Sequence, residues 1–335
     1  MNSELSDLIH RVDLDGLVRY VDATCSNRDW EHLIDIRDDA RSAVNTGRQL
    51  WPIATLANYR LALHAPAHLA VHALDDTART FMPGPLSEII SIHHTWDELE
   101  PHVDAGPDRS LIAYERALRG DDIHSDETEA LDIPLTLQPW EPRYVLATYD
   151  DDGPHCDPPL LPSHLANVQS DHHLDSTDHA LTDEKLIDDD ETENAVRELF
   201  SAWTTESNGS VRVTVVDGSA TDALSAHGIR DVRIEPLQSQ HALSLLAWAG
   251  ASGGAHGSRR GGATGRFGIW WLCAAITDTI DDWPLTEIES HEAFASLQWH
   301  HFASANVSRH GWNVQLVVHD PENDISVCID AHDYV

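Results

Sequence analysis

Basic residues are scarce in this chain, and lysine is almost absent from it. Lys185 is the single lysine, and 21 basic residues stand against 57 acidic ones, which gives a formal charge of −36 over 335 residues. Such a charge repels phosphate backbones and anionic lipid headgroups, so the sequence predicts neither a nucleic-acid partner nor a membrane partner. The composition is equally typical of a protein kept soluble in salty surroundings and of one encoded by a high-GC genome.

Cysteine and long hydrophobic runs are also in short supply. Four cysteines lie far apart in unlike contexts, which predicts no disulfide framework: Cys25, Cys156, Cys273 and Cys328. No stretch approaches the roughly 18 apolar residues of a membrane span. Met1 to Asp7 also lacks the basic and apolar regions of a standard export signal. We therefore expect a soluble, cytoplasmic protein, and its 41% of hydrophobic residues is enough for a packed core.

No catalytic signature is present in the sequence. The GxSxG nucleophile elbow and the paired histidines of HExxH are both missing, and the serines mark turns. Cys156 follows His155 directly, but adjacency in sequence does not place a thiol and an imidazole in productive geometry. The sequence leaves open whether the protein is an enzyme.

One stretch gathers side chains that could bind a metal ion. Residues 155–179 include His155, Cys156, Asp157, His164, His172, His173 and His179. Their spacing matches no zinc template, and a chain with 23 histidines produces such clusters by composition alone. We therefore predict no metal ion and no cofactor, although a zinc site in this stretch stays open.

The composition and the spacing of apolar residues change twice along the chain, which predicts three segments. Residues 1–125 carry apolar residues at three- and four-residue spacing, and Thr95 before Glu98 has the pattern of a capping box. This segment is predicted to be a helical domain, either solenoid-like or a plain bundle. Residues 126–193 are rich in proline and acid, so they are predicted to form a linker or a covering segment.

Residues 194–335 alternate between helical and strand patterns, which predicts an α+β domain with a small sheet. Strands are predicted at 211–216, 232–234, 312–318 and 325–330, and at 144–149 in the segment before. Helices are predicted at 195–203, 237–249, 267–280 and 288–297. The turn from Asp320 to Asp324 is typical of a hairpin. The fold class predicted for the whole chain is α+β, with the all-α domain first.

A segment without acid interrupts this acidic chain. Pro236 to Thr277 contains no Asp or Glu, although these residues fill 57 of the 335 positions. Inside it lies a glycine-rich loop, residues 253–267, whose polar side chains include His256, Arg259, Arg260 and Arg266. Successive glycine N–H groups and a helix that begins near Thr264 would attract an anion, and the arginines would add charge-assisted hydrogen bonds. These four residues are therefore the predicted site for a phosphate or carboxylate ligand.

The same loop has two other interpretations. It matches neither GxxxxGK[ST] nor GxGxxG after a strand, so no established nucleotide motif is present. Its glycines would let two helices approach closely while its arginines pair with acidic groups elsewhere, for example in residues 171–193, or with an acidic partner protein. The tryptophans of this half are predicted to lie chiefly in the core, although one or two beside the loop could stack on a planar ligand.

Distinctive motifs recur through the last 140 or so residues. They are the loop Gly253-Gly254-Ala255-His256-Gly257 with Arg259-Arg260-Gly261 and Gly265-Arg266-Phe267, the pair Trp270-Trp271, the break Asp281-Asp282-Trp283-Pro284, and the ending from Gly311-Trp312 to Asp320-Pro321. Together these motifs resemble a family of uncharacterised actinobacterial proteins. The resemblance implies a bacterial cytosolic protein, and it implies no activity.

Two functions follow as hypotheses. The first is a non-enzymatic interaction protein, in which the arginine loop engages an acidic partner or its own chain. The second is an enzyme or sensor that binds a phosphorylated or carboxylated small molecule at residues 253–266. The two differ in whether the arginines face a pocket or internal carboxylates. The oligomeric state is not predicted.

Overall fold

The chain folds into two compact units. A computed structural model describes residues 3–75, 81–123, 131–162, 185–229, 232–303 and 311–334. The first unit comprises Met1–Ala130 and Ala147–His155, and the second comprises Leu131–Leu146 and Cys156–Val335. The proline-rich segment is therefore shared: residues 131–146 belong to the second unit and residues 147–155 to the first.

The first unit is helical. Its α-helices are α1 (Ser3–Arg11), α2 (Leu14–Ser26), α3 (Trp30–Asn45), α4 (Trp51–His64), α5 (Ala67–Ala70), α6 (Leu86–Ile90), α7 (Trp96–Leu99) and α8 (Pro107–Leu118). Helix starts follow the sequence: the side chain of Asp13 accepts a hydrogen bond from the Gly16 N–H at 3.0 Å. Thr95 and Glu98 form the capping box that their spacing predicts.

A short hairpin completes this unit. Strands β1 (Thr148–Asp150) and β2 (Gly153–His155) pair in antiparallel fashion. The Tyr149 hydroxyl donates a hydrogen bond at 2.7 Å to the carboxylate of Glu88 in α6, and both residues are buried. Because a buried carboxylate needs such donors, this contact fixes the hairpin against helices that lie some 60 positions earlier in the chain.

The second unit combines helices with one sheet. Its elements are α9 (Asp190–Leu199), α10 (Ser201–Thr205), β3 (Ser210–Asp217), α11 (Ala220–Ala226), β4 (Arg233–Leu237), α12 (Ser239–Ala251), α13 (Gly262–Ile276), α14 (Glu287–Ala295), β5 (Gln298–Ala303), β6 (Trp312–Asp320) and β7 (Ile325–Asp333). The five strands are antiparallel and lie in the order β3-β7-β6-β5-β4. The predicted α+β fold with a helical N-terminal part is confirmed.

Tryptophans supply much of the core of the second unit. Trp203, Trp248 and Trp312 pack with ring centroids 4.9 to 5.9 Å apart, which is the usual range for edge-to-face aromatic pairs. The buried Trp203 indole N–H donates to the Ser252 hydroxyl at 2.9 Å. The core therefore reaches the residue that directly precedes the glycine-rich loop.

Three elements differ from their predictions. Helix α13 begins at Gly262 and not at Phe267, because Gly261, at a φ of +98°, ends the loop five residues earlier. Of the strand predicted at 144–149, only its last two residues enter β1. Strand β5 was not predicted, since its two adjacent histidines obscure the alternation of apolar residues. In the part of the chain that the structure describes, no helix is both long and apolar enough to cross a bilayer.

Candidate functional site

Glycines bring α12 and α13 close together at the two ends of the loop. A Cβ atom on Gly265 would overlap the Ala247 carbonyl oxygen and would lie 2.9 Å from the Ala251 Cβ. A Cβ atom on Gly250 would lie 2.6 Å from Leu199 Cδ1. The obstacle at Gly265 is backbone, so the close packing of the two helices requires glycine there, whereas the obstacle at Gly250 is the end of a leucine side chain.

Carboxylates from outside the loop hold its backbone. Asp333, which is fully buried at the end of β7, accepts a hydrogen bond from the Ala255 N–H. Glu206 accepts one from the Ser258 N–H at 3.2 Å. Ser207 accepts the His256 N–H at 3.1 Å and itself donates to Asp333 at 3.0 Å. Three backbone N–H groups that could bind an external anion are thus satisfied by acceptors of the protein itself.

Arg266 forms a buried ion pair with Glu141. Its side chain is fully buried, and Nε and Nη2 donate to the two carboxylate oxygens at 2.7 Å each. The carbonyl oxygens of Leu135 and Thr136 accept further hydrogen bonds from the same guanidinium at 3.3 and 3.2 Å. This bidentate geometry is the strongest that an arginine and a carboxylate adopt.

Glu141 is satisfied from several sides. Besides Arg266, it accepts hydrogen bonds from the Gln138 N–H at 2.9 Å and from the Tyr144 hydroxyl. Burial, together with the neighbouring Glu141 carboxylate, raises the pKa of Tyr144 well above its usual value, so this hydroxyl remains a donor. The ion pair therefore links residues 131–146 to α13. Arg266 has an internal partner, as the second interpretation of the loop expects.

The other three predicted residues have different surroundings. Arg259 is buried, at 7% exposure, whereas His256 is exposed. Arg260 is half-buried, and one guanidinium N–H donates to the Ser201 hydroxyl. Among the described residues, no carboxylate forms an ion pair with Arg260. The four residues therefore do not surround one pocket. At His256 and Arg260, which solvent reaches, the anion site stays a prediction.

Arg260 lines a small cavity, which we call the Arg260 pocket. The cavity has a volume of about 130 Å³, and its walls include Glu198, Leu199, Arg260, Thr264, Phe267 and Trp271. The rings of Phe267 and Trp271 are nearly parallel, at an interplanar angle of 16° and a centroid distance of 6.2 Å. A cation and two aromatic faces thus share one recess.

A larger concave surface lies on the first unit, which the sequence did not reveal. It encloses about 600 Å³, and we call it the Phe81 groove after the residue at its rim. Its apolar walls include Leu14, Trp51, Leu56, Phe81 and Pro83. Phe81 is 69% exposed and Leu14 is 40% exposed. The available signal in the sequence was an apolar side chain beside the Pro83-Gly84-Pro85 turn, and that signal is weak.

The groove has an acidic end. Asp151 and Asp152 both line it. Asp151 already has partners, since Arg60 lies 2.7 Å and His64 lies 2.9 Å from its carboxylate. Asp152 forms no ion pair with any residue in the described ranges. One uncompensated carboxylate therefore faces the apolar surface.

Next to it, a cavity of about 500 Å³ contains a cysteine, a histidine and a carboxylate: Cys25, His64 and Asp151. The combination is that of a thiol nucleophile with its base. Burial raises the pKa of Cys25, however, and the carboxylates of Asp151 and Asp22 add to that effect against the opposing charge of Arg60. The raised pKa disfavours the thiolate, which is the nucleophilic form of cysteine.

The predicted histidine and cysteine cluster is partly visible. Its members His164, His172, His173 and His179 lie outside the described residues, as does most of residues 171–193. His155 pairs with Asp150 at 2.8 Å, while the Cys156 thiol donates to the Val145 carbonyl oxygen at 3.8 Å. Within the described ranges, no group of three His, Cys, Asp or Glu side chains is arranged to hold a metal ion.

Comparison with known proteins identifies a family but no individual relative. No curated protein and no solved structure matches the chain. One family model does match, and it covers residues 15–334, which include most of the helical unit and nearly all of the last 140 residues. The chain therefore belongs to the family of unknown function DUF6183.

Proposed function

We propose that this protein is a non-enzymatic binding protein and that its partner is a basic, partly apolar protein segment bound in the Phe81 groove. The observation that carries the proposal is the exposure of Phe81, at 69%, on the rim of an apolar surface in so highly charged a chain. Apolar patches rimmed by polar residues on soluble proteins mark interaction sites. A partner that buries this phenylalanine side chain would gain about 1.5–3 kcal/mol of binding free energy.

The charge of the groove selects the partner. The chain carries a formal charge of −36, and Asp152 faces the groove without an ion pair among the described residues. A second copy of the chain would bring another −36 to the same surface, so self-association is opposed. A segment with apolar side chains between lysines or arginines complements both the walls and the rim.

The arginine loop supports this proposal less directly. Arg266 meets an internal carboxylate and Arg259 is buried, which is the arrangement expected if the loop mainly stabilises its own domain. The acidic partner considered for this loop would reach His256 and Arg260 but not the two buried arginines. We therefore propose that the main partner binds at the groove.

A fluorescence anisotropy titration tests the proposal. The probe is a labelled hexapeptide with phenylalanine and leucine between paired lysines, and the comparison peptide carries glutamates in place of lysines. We expect binding of the basic peptide alone, weakened about tenfold, or about 1.4 kcal/mol, by Phe81→Ala. Raised salt should weaken it too, because rim charges are screened.

Leu160→Ala is the matched control, since Leu160 is 92% exposed but belongs to the second unit. Binding that is equal in wild type and Phe81→Ala, or equal for both peptides, would contradict the proposal. A concentration-dependent dimer that Phe81→Asp abolishes in analytical ultracentrifugation would identify a second copy of the chain as the occupant instead.

A further inference from the structure

We infer that the Arg260 pocket binds a small aromatic carboxylate whose ring carries a hydrogen-bond donor. The pocket lies in the second unit, so the inference does not depend on the Phe81 groove. Its first support is electrostatic. In a chain with 57 acidic residues, the guanidinium of Arg260 has a serine hydroxyl as its described partner and no ion pair among the described residues.

The guanidinium has donors left for a ligand. It carries five N–H groups, and one of them donates to Ser201. The Arg260 backbone is fixed independently, because its N–H donates to the Ala251 carbonyl oxygen at 2.8 Å and its carbonyl oxygen accepts the Thr264 hydroxyl at 3.0 Å. A carboxylate could therefore form a bidentate pair with a side chain whose base is already held in place.

The walls favour a flat ligand. Phe267 and Trp271 follow each other by one turn of α13, and their nearly parallel rings give a surface on which an aromatic ring can stack. The volume of about 130 Å³ is close to that of an engineered cavity of roughly 150 Å³ that accepts benzene. One six-membered ring fits this space, whereas a nucleotide does not.

Glu198 sets the last requirement. This exposed residue lines the same pocket, so its negative charge opposes an anion without a donor. A ligand with an amino or hydroxyl group can satisfy both charges, one at each end. The expected order of affinity is 4-aminobenzoate, then benzoate, with inorganic phosphate and the neutral benzamide far weaker.

Isothermal titration calorimetry with these four compounds tests the inference. We expect Arg260→Gln to weaken 4-aminobenzoate binding at least about tenfold, since the charge-assisted pair is lost. Trp271→Leu removes a stacking face and should weaken it severalfold. Arg197→Gln is the matched control, because Arg197 precedes the pocket residue Glu198 in α9 but pairs with Glu193 on the surface.

Far-UV circular dichroism establishes that each variant is folded, and Trp271→Leu provides the test if Arg260→Gln is not folded. The inference is supported if 4-aminobenzoate binds wild type and Arg197→Gln and loses affinity in the pocket variants. Equal affinity in Arg260→Gln, binding of phosphate at least as tight as that of 4-aminobenzoate, or no binding of any probe to the folded wild-type protein would each overturn it.

Discussion

At the scale of single residues, arginines in this chain differ by the carboxylate that each one meets. Arg116 binds both oxygens of Asp121 at 2.8 and 2.7 Å, and Arg266 binds both oxygens of Glu141 at 2.7 Å. With 57 acidic residues available, an internal partner is the common outcome. Arg260 lines a cavity and has no such partner among the described residues, which distinguishes it from its loop neighbour Arg266.

The buried pair of Arg266 and Glu141 leads to the first prediction. Arg266→Met or Glu141→Leu alone leaves a buried charge without its counter-charge, which we expect to lower the free energy of unfolding by about 3–5 kcal/mol. The double variant removes both charges, so its free energy of unfolding should fall by much less than the sum of the losses in the two single variants. Urea unfolding followed by tryptophan fluorescence measures all three, and urea leaves the ionic strength unchanged.

The exposed pair of Arg197 with Glu193 is the control for this cycle. Arg197→Gln should cost less than about 1 kcal/mol, because solvent screens such a pair. The structural role assigned to Arg266 would be untenable if its single variant were as stable as Arg197→Gln.

Tyr59 gives a prediction for alkaline pH. Burial raises its pKa to about 12, above the usual value of about 10 for an unfolded chain. A raised pKa means that the folded state holds the proton more tightly, so the stability from this group is complete below pH 10 and is lost as pH rises towards 12. The hydroxyl also donates to the Asp150 carbonyl oxygen.

Tyr59→Phe should therefore be less stable than wild type at pH 8, and the difference should shrink by pH 11. Urea unfolding at both pH values gives the comparison, and other groups that titrate there are common to the two proteins. A difference that stays constant or grows with pH would show that Tyr59 is not buried in its neutral form.

At the scale of elements, glycines determine how α12 and α13 pack. Gly265 faces the backbone of α12, whereas a Cβ atom on Gly268 would meet only the end of the Leu199 side chain, at 2.5 Å from Cδ1. Backbone cannot move aside without separating the helices, but a leucine can change its rotamer. Gly265 therefore faces atoms that cannot move aside, whereas Gly268 faces a side chain that can.

Gly265→Ala should lower the free energy of unfolding by about 1–3 kcal/mol because it overpacks the helix contact. Gly268→Ala should be nearly neutral, since a helix gains up to about 1 kcal/mol when alanine replaces glycine. Paired urea titrations of the two variants distinguish these outcomes. Equal losses would mean that α12 and α13 are not in close contact at Gly265.

Local sequence patterns predicted most of the elements in the second unit. The alternating apolar residues of β3 and the two closing strands lie where they were expected, as does the hairpin turn stabilised by the Asp320 carboxylate. Strand β5 was missed because it lies between β4 and β6 and draws its stability from those neighbours more than from its own pattern.

The candidate sites were harder to predict, because they depend on residues far apart in sequence. Glu141 lies 125 positions before Arg266, and no property of either one identifies the other. The loop was found from its lack of acid, yet which arginine reaches a cavity depends on how α9 and α13 pack. The Phe81 groove depends in the same way on the hairpin at residues 148–155, which supplies its acidic end.

At the scale of the whole molecule, one charge sign dominates. The 57 acidic residues exceed the 21 basic ones by far more than the internal ion pairs can compensate, so like charges crowd the surface. Their repulsion acts on the compact state more than on the expanded chain, because unfolding separates them. The buried pairs described above are shielded from solvent ions, but the surface charges are not.

Added salt should therefore stabilise the protein. Raising sodium chloride from about 0.1 M to about 1 M shortens the screening length from about 10 Å to about 3 Å. We expect the Tm to rise by roughly 3 °C or more, since about 1 kcal/mol shifts the Tm of a protein of this size by about 2–4 °C. If screening is the cause, potassium chloride should raise the Tm by the same amount as sodium chloride. A specific cation site would make the two increases differ. Differential scanning calorimetry in both series measures the effect, and a Tm that stays level or falls with salt would mean that surface repulsion does not limit the stability of this fold.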